Sequence, residues 1–251
     1  MKKQLLLCLL LLIGACAGKQ DAGVDTQATA DGQWQKMATS SVAEPAPYRI
    51  QTSLRFGTEG DTRRVTALFW GNGEGALRLD VMAGVGAVAA KILEDGEHFL
   101  LYTPRENKAY FHEGTAKPLL NVGVPIPFNL RHLSDILNGR YMQVFGRHPA
   151  GSVRLADGRV RYTLDGKPGG DLVLNADGLP ALWREDGDRG WKMEIVYDSL
   201  PQRLTLAHSN GNRAILLVKE REKPAVAFSA EQLRLTLPES ASLLPLEKYK
   251  K

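Results

Sequence analysis

The side chains that could carry out catalysis or bind a metal are few and widely spaced. Histidine occurs five times, at His98, His112, His132, His148 and His208, and never in an HExxH or CxxC-type motif. His98 and His112 fall on neighbouring predicted strands and could face each other, although histidine pairs on sheets are more often structural or solvent-facing. The stretch 71–75 lacks the Lys-Ser/Thr of a phosphate-binding loop, and no Gly-x-Ser-x-Gly elbow occurs. Four carboxylates stand alone and are predicted to be solvated: Asp80, Glu94, Asp171 and Glu194. We therefore expect no catalytic site, no metal and no cofactor, and predict that the chain is not an enzyme.

Cys16 is the one residue with a recognisable chemical setting. Lys2 and Lys3 precede the apolar run 5–13, and Gly14 and Ala15 stand directly before Cys16. This order is typical of a secretory signal peptide, and the run is shorter than the roughly 20 residues of a membrane span. The ending Leu-Ile-Gly-Ala-Cys resembles the lipobox of bacterial lipoproteins, in which the cysteine thiol is acylated and becomes the mature N-terminus. The alternative is an ordinary signal peptide that the general peptidase cuts after Ala15 or Ala17.

Acylation would also explain an unpaired cysteine in a secreted protein. Cys8 lies in the segment to be removed, so Cys16 is left as the sole mature thiol and cannot form an intramolecular disulfide. Two or more fatty chains, such as palmitate, attach a protein stably to a membrane. By resemblance to Gram-negative lipoproteins, Ala17 rather than aspartate at the next position fits sorting to the outer membrane. We expect a lipid-anchored outer-membrane protein that faces the periplasm.

The charge balance argues against a nucleic-acid partner. The chain carries 32 Lys+Arg and 28 Asp+Glu, a net charge of +4, and loss of Lys2 and Lys3 leaves 4 − 2 = +2. This small excess is spread along the chain, whereas nucleic-acid binding needs a clustered basic face.

Composition divides the chain into four parts. Residues 1–15 are the predicted signal peptide, and residues 16–47 are a lipidated N-terminus and flexible tether, polar and without apolar periodicity, in which 34–37 could form a short helix. Residues 48–222 form the folded domain. Residues 223–251 are a C-terminal extension for which we expect an extra strand and a basic tail.

The folded domain is predicted to be mainly β, with a minor helical part. Apolar and polar residues alternate in short runs, and Asp-Gly or Asn-Gly turn signals recur about every ten residues, as in an antiparallel meander. One segment breaks this pattern, because Asn129 is a plausible N-cap, Leu130, Leu133, Ile136 and Leu137 have helical spacing, and Gly139 is a natural stop. A second short helical piece is predicted over 231–235.

The predicted strands have one apolar face, which must be buried. The sheet can curl around a helix and leave an apolar hollow for acyl chains, or stack into a sandwich with no cavity. The residues that we expect to line the hollow are Leu54, Phe56, Phe69, Leu77, Leu79, Leu101, Phe111, Leu133, Leu137, Tyr162, Met193, Ile195, Leu204 and Leu206.

Three stretches resemble a known family. Residues 117–140 combine a Gly-x-Pro-x-Pro lead-in with a helix that ends in Leu-x-Gly, residues 190–206 carry Leu-Pro-x-Arg-Leu, and residues 77–103 contain Leu-Arg-Leu-Asp and a Gly-Val-Gly loop. These motifs resemble the LolB receptors of the LolA/LolB-like lipoprotein-carrier superfamily. The match runs in order from about residue 48 to residue 222, although each motif is short.

The resemblance implies a single antiparallel sheet curled into an unclosed barrel, with a helical plug and a cavity for lipoprotein acyl chains. In the family, a protruding loop carries a leucine that helps to deliver cargo to the membrane. The matching loop is 82–88, where Val85 stands in the place of the leucine. Valine buries less apolar area than leucine, and a simple hairpin loop is the alternative.

Two functions follow as hypotheses. In the first, an anchored lipoprotein accepts acyl chains of lipoproteins or other lipids from a LolA-like periplasmic carrier and delivers them to the outer membrane. In the second, the core is filled and the protein is a structural envelope lipoprotein that docks a protein partner.

Overall fold

The computed structural model describes residues 22–84, 86–114, 117–187 and 189–249. The predicted signal peptide, Cys16 and Val85 lie outside these ranges.

Fourteen strands form one sheet, and short helices lie against it. The strands are β1 (Tyr48–Thr58), β2 (Asp61–Gly71), β3 (Leu77–Ala83), β4 (Ala87–Glu94), β5 (His98–Thr103), β6 (Lys108–Glu113), β7 (Gly151–Arg154), β8 (Val160–Leu164), β9 (Gly170–Leu174), β10 (Pro180–Arg184), β11 (Trp191–Tyr197), β12 (Pro201–His208), β13 (Arg213–Glu222) and β14 (Ser242–Pro245). The helices are α1 (Ala22–Ser40), α2 (Pro118–Asn121), α3 (Leu130–Leu137), α4 (Tyr141–Phe145) and α5 (Ala230–Leu233), followed by a 3₁₀ turn over Leu246–Lys248.

The strand order shows two meanders joined side by side. The order is β14-β6-β5-β4-β3-β2-β1-β13-β12-β11-β10-β9-β8-β7, and every pair is antiparallel except β14 with β6. Within the described residues, the edge strands β14 and β7 do not pair with each other, so the sheet curls without closing. The prediction of a mainly β, unclosed sheet with helices against it is confirmed.

Alternation fixes which side of each strand faces the core. On β1, Tyr48, Ile50, Thr52 and Leu54 are buried, while the residues between them face outward. The same period of two holds along β8, β11 and β12. Because one face of the sheet is buried and the other is exposed to solvent, apolar and polar residues alternate in the sequence, and this alternation predicts each strand.

Helix α3 matches its prediction at both ends. Asn129 Oδ1 accepts a hydrogen bond from the His132 amide at 2.7 Å, as an N-cap does. Gly139 follows the C-cap residue Asn138 with φ 76°, a left-handed conformation that glycine adopts without strain. All four periodic apolar residues of the helix are buried.

The N-terminal segment differs from its prediction. Residues 22–40, assigned to a flexible tether, form helix α1, and Ala30, Trp34 and Met37 are part of the main core. Trp34 Nε1 donates to the Arg147 carbonyl at 2.9 Å, and the Tyr162 hydroxyl donates to the Ala30 carbonyl at 2.7 Å. For this part of the segment the tether prediction is wrong, because three residues spaced by one helical turn bury against the sheet.

The C-terminal extension lies across the outer face of the sheet. Its strand β14 pairs with β6, and helix α5, which begins one residue before the predicted 231–235, has a capping box between Ser229 and Gln232. Asn72 exchanges two hydrogen bonds with the Phe228 backbone, and Arg78 Nη1 donates to the Arg234 carbonyl at 2.7 Å. The extension therefore covers part of the outer face around β3–β6, and the expected extra strand is present.

Candidate functional site

The centre of the curled sheet holds a small apolar cavity. Its volume is about 50 Å³, and it lies between the inner face of β1–β4 and the segment 119–133. Every lining residue is apolar: Leu54, Phe56, Val65, Ala67, Phe69, Leu79, Val81, Ile92, Leu119, Val124, Ile126, Leu133 and Leu216. An apolar void of this kind offers no hydrogen-bond partner to water, so hydrocarbon is the ligand that suits it.

Five of the fourteen residues predicted to line a hollow lie at this cavity: Leu54, Phe56, Phe69, Leu79 and Leu133. Eight others are buried in the core away from it: Leu77, Leu101, Leu137, Tyr162, Met193, Ile195, Leu204 and Leu206. In the conformation described, the far half of the sheet is thus filled by side chains of the protein itself, including those of α1.

The placement of Phe111 corrects the prediction. Phe111 pairs with Leu100 on the outer face of β5 and β6 and is 39% exposed, whereas its neighbour Tyr110 pairs with Leu101 and faces the core. Two adjacent aromatics cannot both face inward on a strand. Tyr110 takes the inner position because it packs edge-on against Tyr249 of the C-terminal extension, with ring centroids 5.0 Å apart.

Sequence reasoning missed eight lining residues, for two reasons. Val65, Ala67, Val81, Ile92 and Leu216 lie on inner strand positions, which the alternation of apolar and polar residues could have identified. Leu119, Val124 and Ile126 belong to α2 and the irregular stretch after it, where neither a period of two nor one of 3.6 applies.

The wall of the cavity opposite the strands is held at its helical end by a buried carboxylate. Glu94 is 2% exposed, and its two oxygens accept hydrogen bonds from the backbone amides of Leu130 and Arg131, each at 2.9 Å. Burial raises the pKa of the Glu94 carboxyl, and these two amides oppose that shift. The carboxylate lies at the N-terminus of α3, where a negative charge interacts favourably with the helix dipole. Glu94, predicted to be solvated, is therefore a capping group.

A second buried polar cluster lies at the other end of α3. Asp135 Oδ1 is 3.2 Å from Arg140 Nε, and Ser134 donates to the Tyr48 hydroxyl at 2.6 Å. Burial raises the pKa of the Asp135 carboxyl to about 6, against the opposing charges of Arg140 and Arg131. Arg221 Nη1 donates to the Leu137 carbonyl at 2.7 Å, so a cation caps the C-terminus of the helix.

A groove of about 770 Å³, lined by both charged and apolar residues, lies on the other side of the same wall. We call it the mouth groove; it is lined by Lys117, Pro127, Asn129, His132, Lys167, Pro168, Gly169, Trp183, Glu185 and Asp186. Ile126 and Leu133 face the cavity, whereas Pro127, Asn129 and His132 face the groove. The segment 126–133 therefore separates the apolar cavity from the mouth groove.

Two contacts define the mouth groove. Trp183 packs against Phe128 with ring centroids 4.8 Å apart and forms its floor. Lys117 forms an ion pair with Glu185, and although burial acts to raise the pKa of that carboxyl, the Lys117 ammonium and the Trp191 amide hold it below its usual value. Burial and the charge of Arg131 lower the pKa of His132 below its usual value.

Other predicted chemistry can be placed within the described ranges. His98 pairs with Glu113 and His112 with Phe99, so the two histidines lie on opposite faces of the sheet. Among the residues that the structure describes, no three His, Cys, Asp or Glu side chains gather where they could hold a metal ion.

No helix within the described part of the chain has the length and apolar character needed to cross a membrane.

The hairpin loop around Val85 is described only at its flanks. Gly84 and Gly86 have positive φ angles of 59° and 78°, and Ala83, Ala87 and Val88 are exposed. The tip of the β3–β4 hairpin therefore carries small apolar side chains on both sides of position 85.

Comparison with known proteins supports a fold but no closer relative. No family model and no curated protein sequence matches the chain. Among solved structures, a LolA superfamily protein from Nitrosomonas europaea is similar with a TM-score of 0.54 and 10% identity, over 78% of this chain and 94% of that one. A DUF1329 family protein from Desulfovibrio piger has a TM-score of 0.58 and 11% identity, over 80% and 96%. An outer membrane lipoprotein-sorting protein domain from Vibrio parahaemolyticus has a TM-score of 0.52 and 8% identity, over 80% and 94%.

These three chains are matched over nearly their whole length, and each similarity extends across the curled sheet of the present protein. At such low identity the similarity concerns the course of the backbone. The predicted architecture is thereby confirmed: the chain has the fold of these solved structures, among them a LolA superfamily protein.

Proposed function

We propose that this protein binds acyl chains of lipids or of lipoproteins in the cavity between β1–β4 and the segment 119–133. The observation that carries the proposal is the lining itself, thirteen apolar residues without a polar one, inside a sheet that does not close. Each methylene moved from water into such a site contributes about 0.8 kcal/mol. Binding in this site needs no catalytic group.

The size of the cavity requires the wall to move. A void of about 50 Å³ is smaller than the ~150 Å³ that accommodates one benzene molecule. A long acyl chain therefore enters only when the segment 126–133 swings away and joins the cavity to the mouth groove. Short α2 and irregular chain precede this segment, and at the first turn of α3 two backbone amides donate to the Glu94 carboxylate.

We further propose that the protein is a receptor at the outer membrane, anchored through Cys16, with acyl chains supplied by a LolA-like periplasmic carrier and released into the bilayer. The lipobox in the sequence supports the anchor, and the exposed apolar flanks of the β3–β4 hairpin support a membrane contact there. Transfer would run downhill, because the bilayer offers acyl chains an apolar site larger than the cavity.

Photo-crosslinking in cells tests the binding proposal. A benzophenone amino acid replaces Phe56, which lines the cavity and is half-buried. The matched control places it at Phe111, an aromatic on the outer face. We expect irradiation to give adducts with the mass of a lipid or an acylated peptide at position 56 only. Equal yields at both positions, or no lipid adduct at position 56, would contradict acyl-chain binding.

Val88→Glu tests the membrane contact. Val88 is exposed at the hairpin, and a charge there opposes insertion into hydrocarbon. We expect release of a bound fluorescent fatty acid into vesicles to slow several-fold, with equilibrium binding unchanged. Val153→Glu, at an exposed valine on β7, is the control and should leave the rate unchanged. Equal slowing by both variants would contradict a role for the hairpin.

The alternative function is an envelope lipoprotein with a filled core that docks a protein partner. The small volume of the cavity and the packing of α1 into the core favour it. It predicts protein adducts rather than lipid adducts in the same crosslinking experiment.

A further inference from the structure

The outer face of the sheet carries a cluster of arginines that the cavity does not explain. Arg55 on β1, Arg64 on β2 and Arg203 on β12 all face outward, with Ile215 and Leu217 of β13 between them. They line an open depression of about 510 Å³, which also includes Arg63. We call Arg55, Arg64 and Arg203 with Ile215 and Leu217 the arginine face.

Strand register brings these guanidinium groups close together. Arg55 pairs directly with Arg64 on one side and with Ile215 on the other, and the neighbouring row runs from Ser53 through Leu217 to Arg203. Since adjacent strands are about 4.8 Å apart, the three arginines start from backbone positions within roughly 15 Å. Like charges directly opposite each other on a sheet are destabilising. The pair Arg55–Arg64 therefore lowers the stability of the folded protein, and its presence is not explained by the needs of folding.

The charges of the arginine face have no carboxylate partner in the part of the chain that the structure describes. Within the described residues, no carboxylate forms an ion pair with Arg55, Arg64 or Arg203. Arg55 reaches only the Thr62 hydroxyl, at 3.2 Å, and Arg64 Nε donates to the Ser53 hydroxyl at 3.0 Å. Each guanidinium keeps further N–H donors that point to no protein acceptor in this part of the structure.

Three other arginines of the outer face are either paired with a carboxylate or covered by the C-terminal extension. Arg49 pairs with Glu222 at 3.3 Å and Arg161 with Asp171 at 3.7 Å, while Arg78 is covered by the C-terminal extension. The extension covers the region around β3–β6 and touches the start of β1, where the Arg49 guanidinium lies over the Phe228 ring. The arginine face lies farther along these strands and borders the open depression of about 510 Å³.

We propose that the arginine face binds the phosphate groups of an anionic membrane surface. A guanidinium presents a planar fork of donors that matches phosphate oxygens. Half-buried Ile215 and Leu217, with exposed Val196 beside Arg203, form an apolar strip among the charges, as at surfaces that lie on a bilayer interface. This proposal does not depend on acyl-chain binding in the cavity.

Vesicle sedimentation tests the proposal. The probe is vesicles of phosphatidylcholine with or without phosphatidylglycerol, and the protein is the full mature chain with Cys16→Ser, so that its own anchor does not hold it. We expect binding only to the phosphatidylglycerol vesicles, and weaker binding as salt rises. Each surface arginine contributes about fivefold in affinity to an anionic membrane. The triple variant Arg55→Gln, Arg64→Gln, Arg203→Gln should therefore bind at least tenfold more weakly.

A control variant removes the same charge from elsewhere. Arg154→Gln, Arg159→Gln, Arg184→Gln changes three exposed arginines outside the arginine face and should keep wild-type binding. Thermal melting establishes that both triple variants are folded. Equal loss in both, wild-type binding by the first, or no preference of the wild type for phosphatidylglycerol overturns the proposal. A benzophenone at Leu217 that crosslinks in cells to protein rather than to lipid overturns it in favour of an acidic protein partner.

Discussion

A single buried carboxylate helps to hold helix α3 against the curled sheet. Glu94 accepts two backbone hydrogen bonds at the start of α3, and removing the acceptor leaves buried amides unpaired. We expect Glu94→Ala to lower the free energy of unfolding by about 2–3 kcal/mol, measured by urea denaturation. Glu194→Ala is the control, because its carboxylate is half-exposed and paired only with Lys192, and it should change the free energy by less than about 1 kcal/mol. Similar losses in both variants would show that Glu94 is no cap.

Asp135 should make stability depend on pH. Burial raises the pKa of its carboxyl from 3.8 to about 6, so between these values the folded state holds a proton that the unfolded chain has lost. The free energy of unfolding contributed by this group is full below pH 3.8 and falls as pH rises through about 6. We expect Asp135→Asn to remove this fall, seen as a flatter curve in urea denaturations across that range. Parallel curves for the two proteins would contradict the raised pKa.

At the residue scale, sequence reasoning succeeded where the signal is local. Asn129 and Gly139 flank α3 within a few positions of the residues they cap, so their roles could be predicted. The cap from Glu94 could not, because its partners Leu130 and Arg131 lie 36 and 37 positions away and the contact exists only once the sheet has curled. Phe111 was misplaced for a related reason: adjacent aromatics make the phase of alternation ambiguous until Tyr249 selects Tyr110.

At the element scale, α1 is the largest departure from expectation. Its composition is polar, and of the side chains described from residue 29 onward, those of Ala30, Trp34 and Met37 are buried and repeat with helical spacing on one side. Three apolar residues give a weak helical signal among many Gln, Asp and Thr residues, and the polar composition therefore predicted a tether. Strands β2 to β13, by contrast, have alternating runs bounded by turn residues and were predictable.

The packing of α1 can be measured directly. Trp34 is buried, its ring centroid is 4.9 Å from that of Tyr162, and its indole donates to Arg147. We expect Trp34→Ala to cost about 3–5 kcal/mol of unfolding free energy. Gln35→Ala, at an exposed neighbouring position, should cost less than about 0.5 kcal/mol. If Trp34→Ala leaves the melting transition unchanged, α1 does not belong to the cooperative core.

At the scale of the whole molecule, the two faces of the sheet carry different structural features. The inner face buries the plug and the cavity, and the outer face is divided between the C-terminal extension and the arginine face. The cavity and the arginine face therefore lie on opposite faces of the same sheet, so the residues of one can be substituted without changing those of the other.

Filling the cavity is the change that separates an acyl-chain binder from a protein with a filled core. Ala67 lines the cavity from β2, and Ala67→Val places two extra methyl groups there on a strand that tolerates valine. If these groups occupy the volume of about two methylenes of a bound chain, affinity for a fluorescent fatty acid should fall about tenfold, with the melting temperature unchanged or higher. Ala109→Val is the matched control, at a buried position on the outer face of β6 beneath the C-terminal extension, where overpacking costs about 1–3 kcal/mol. That variant should melt earlier and yet, while folded, bind the fatty acid as tightly as the wild type. Because the two substitutions are chemically identical, undiminished binding by Ala67→Val would mean that hydrocarbon does not enter the cavity, and the docking lipoprotein with a filled core would be the better account.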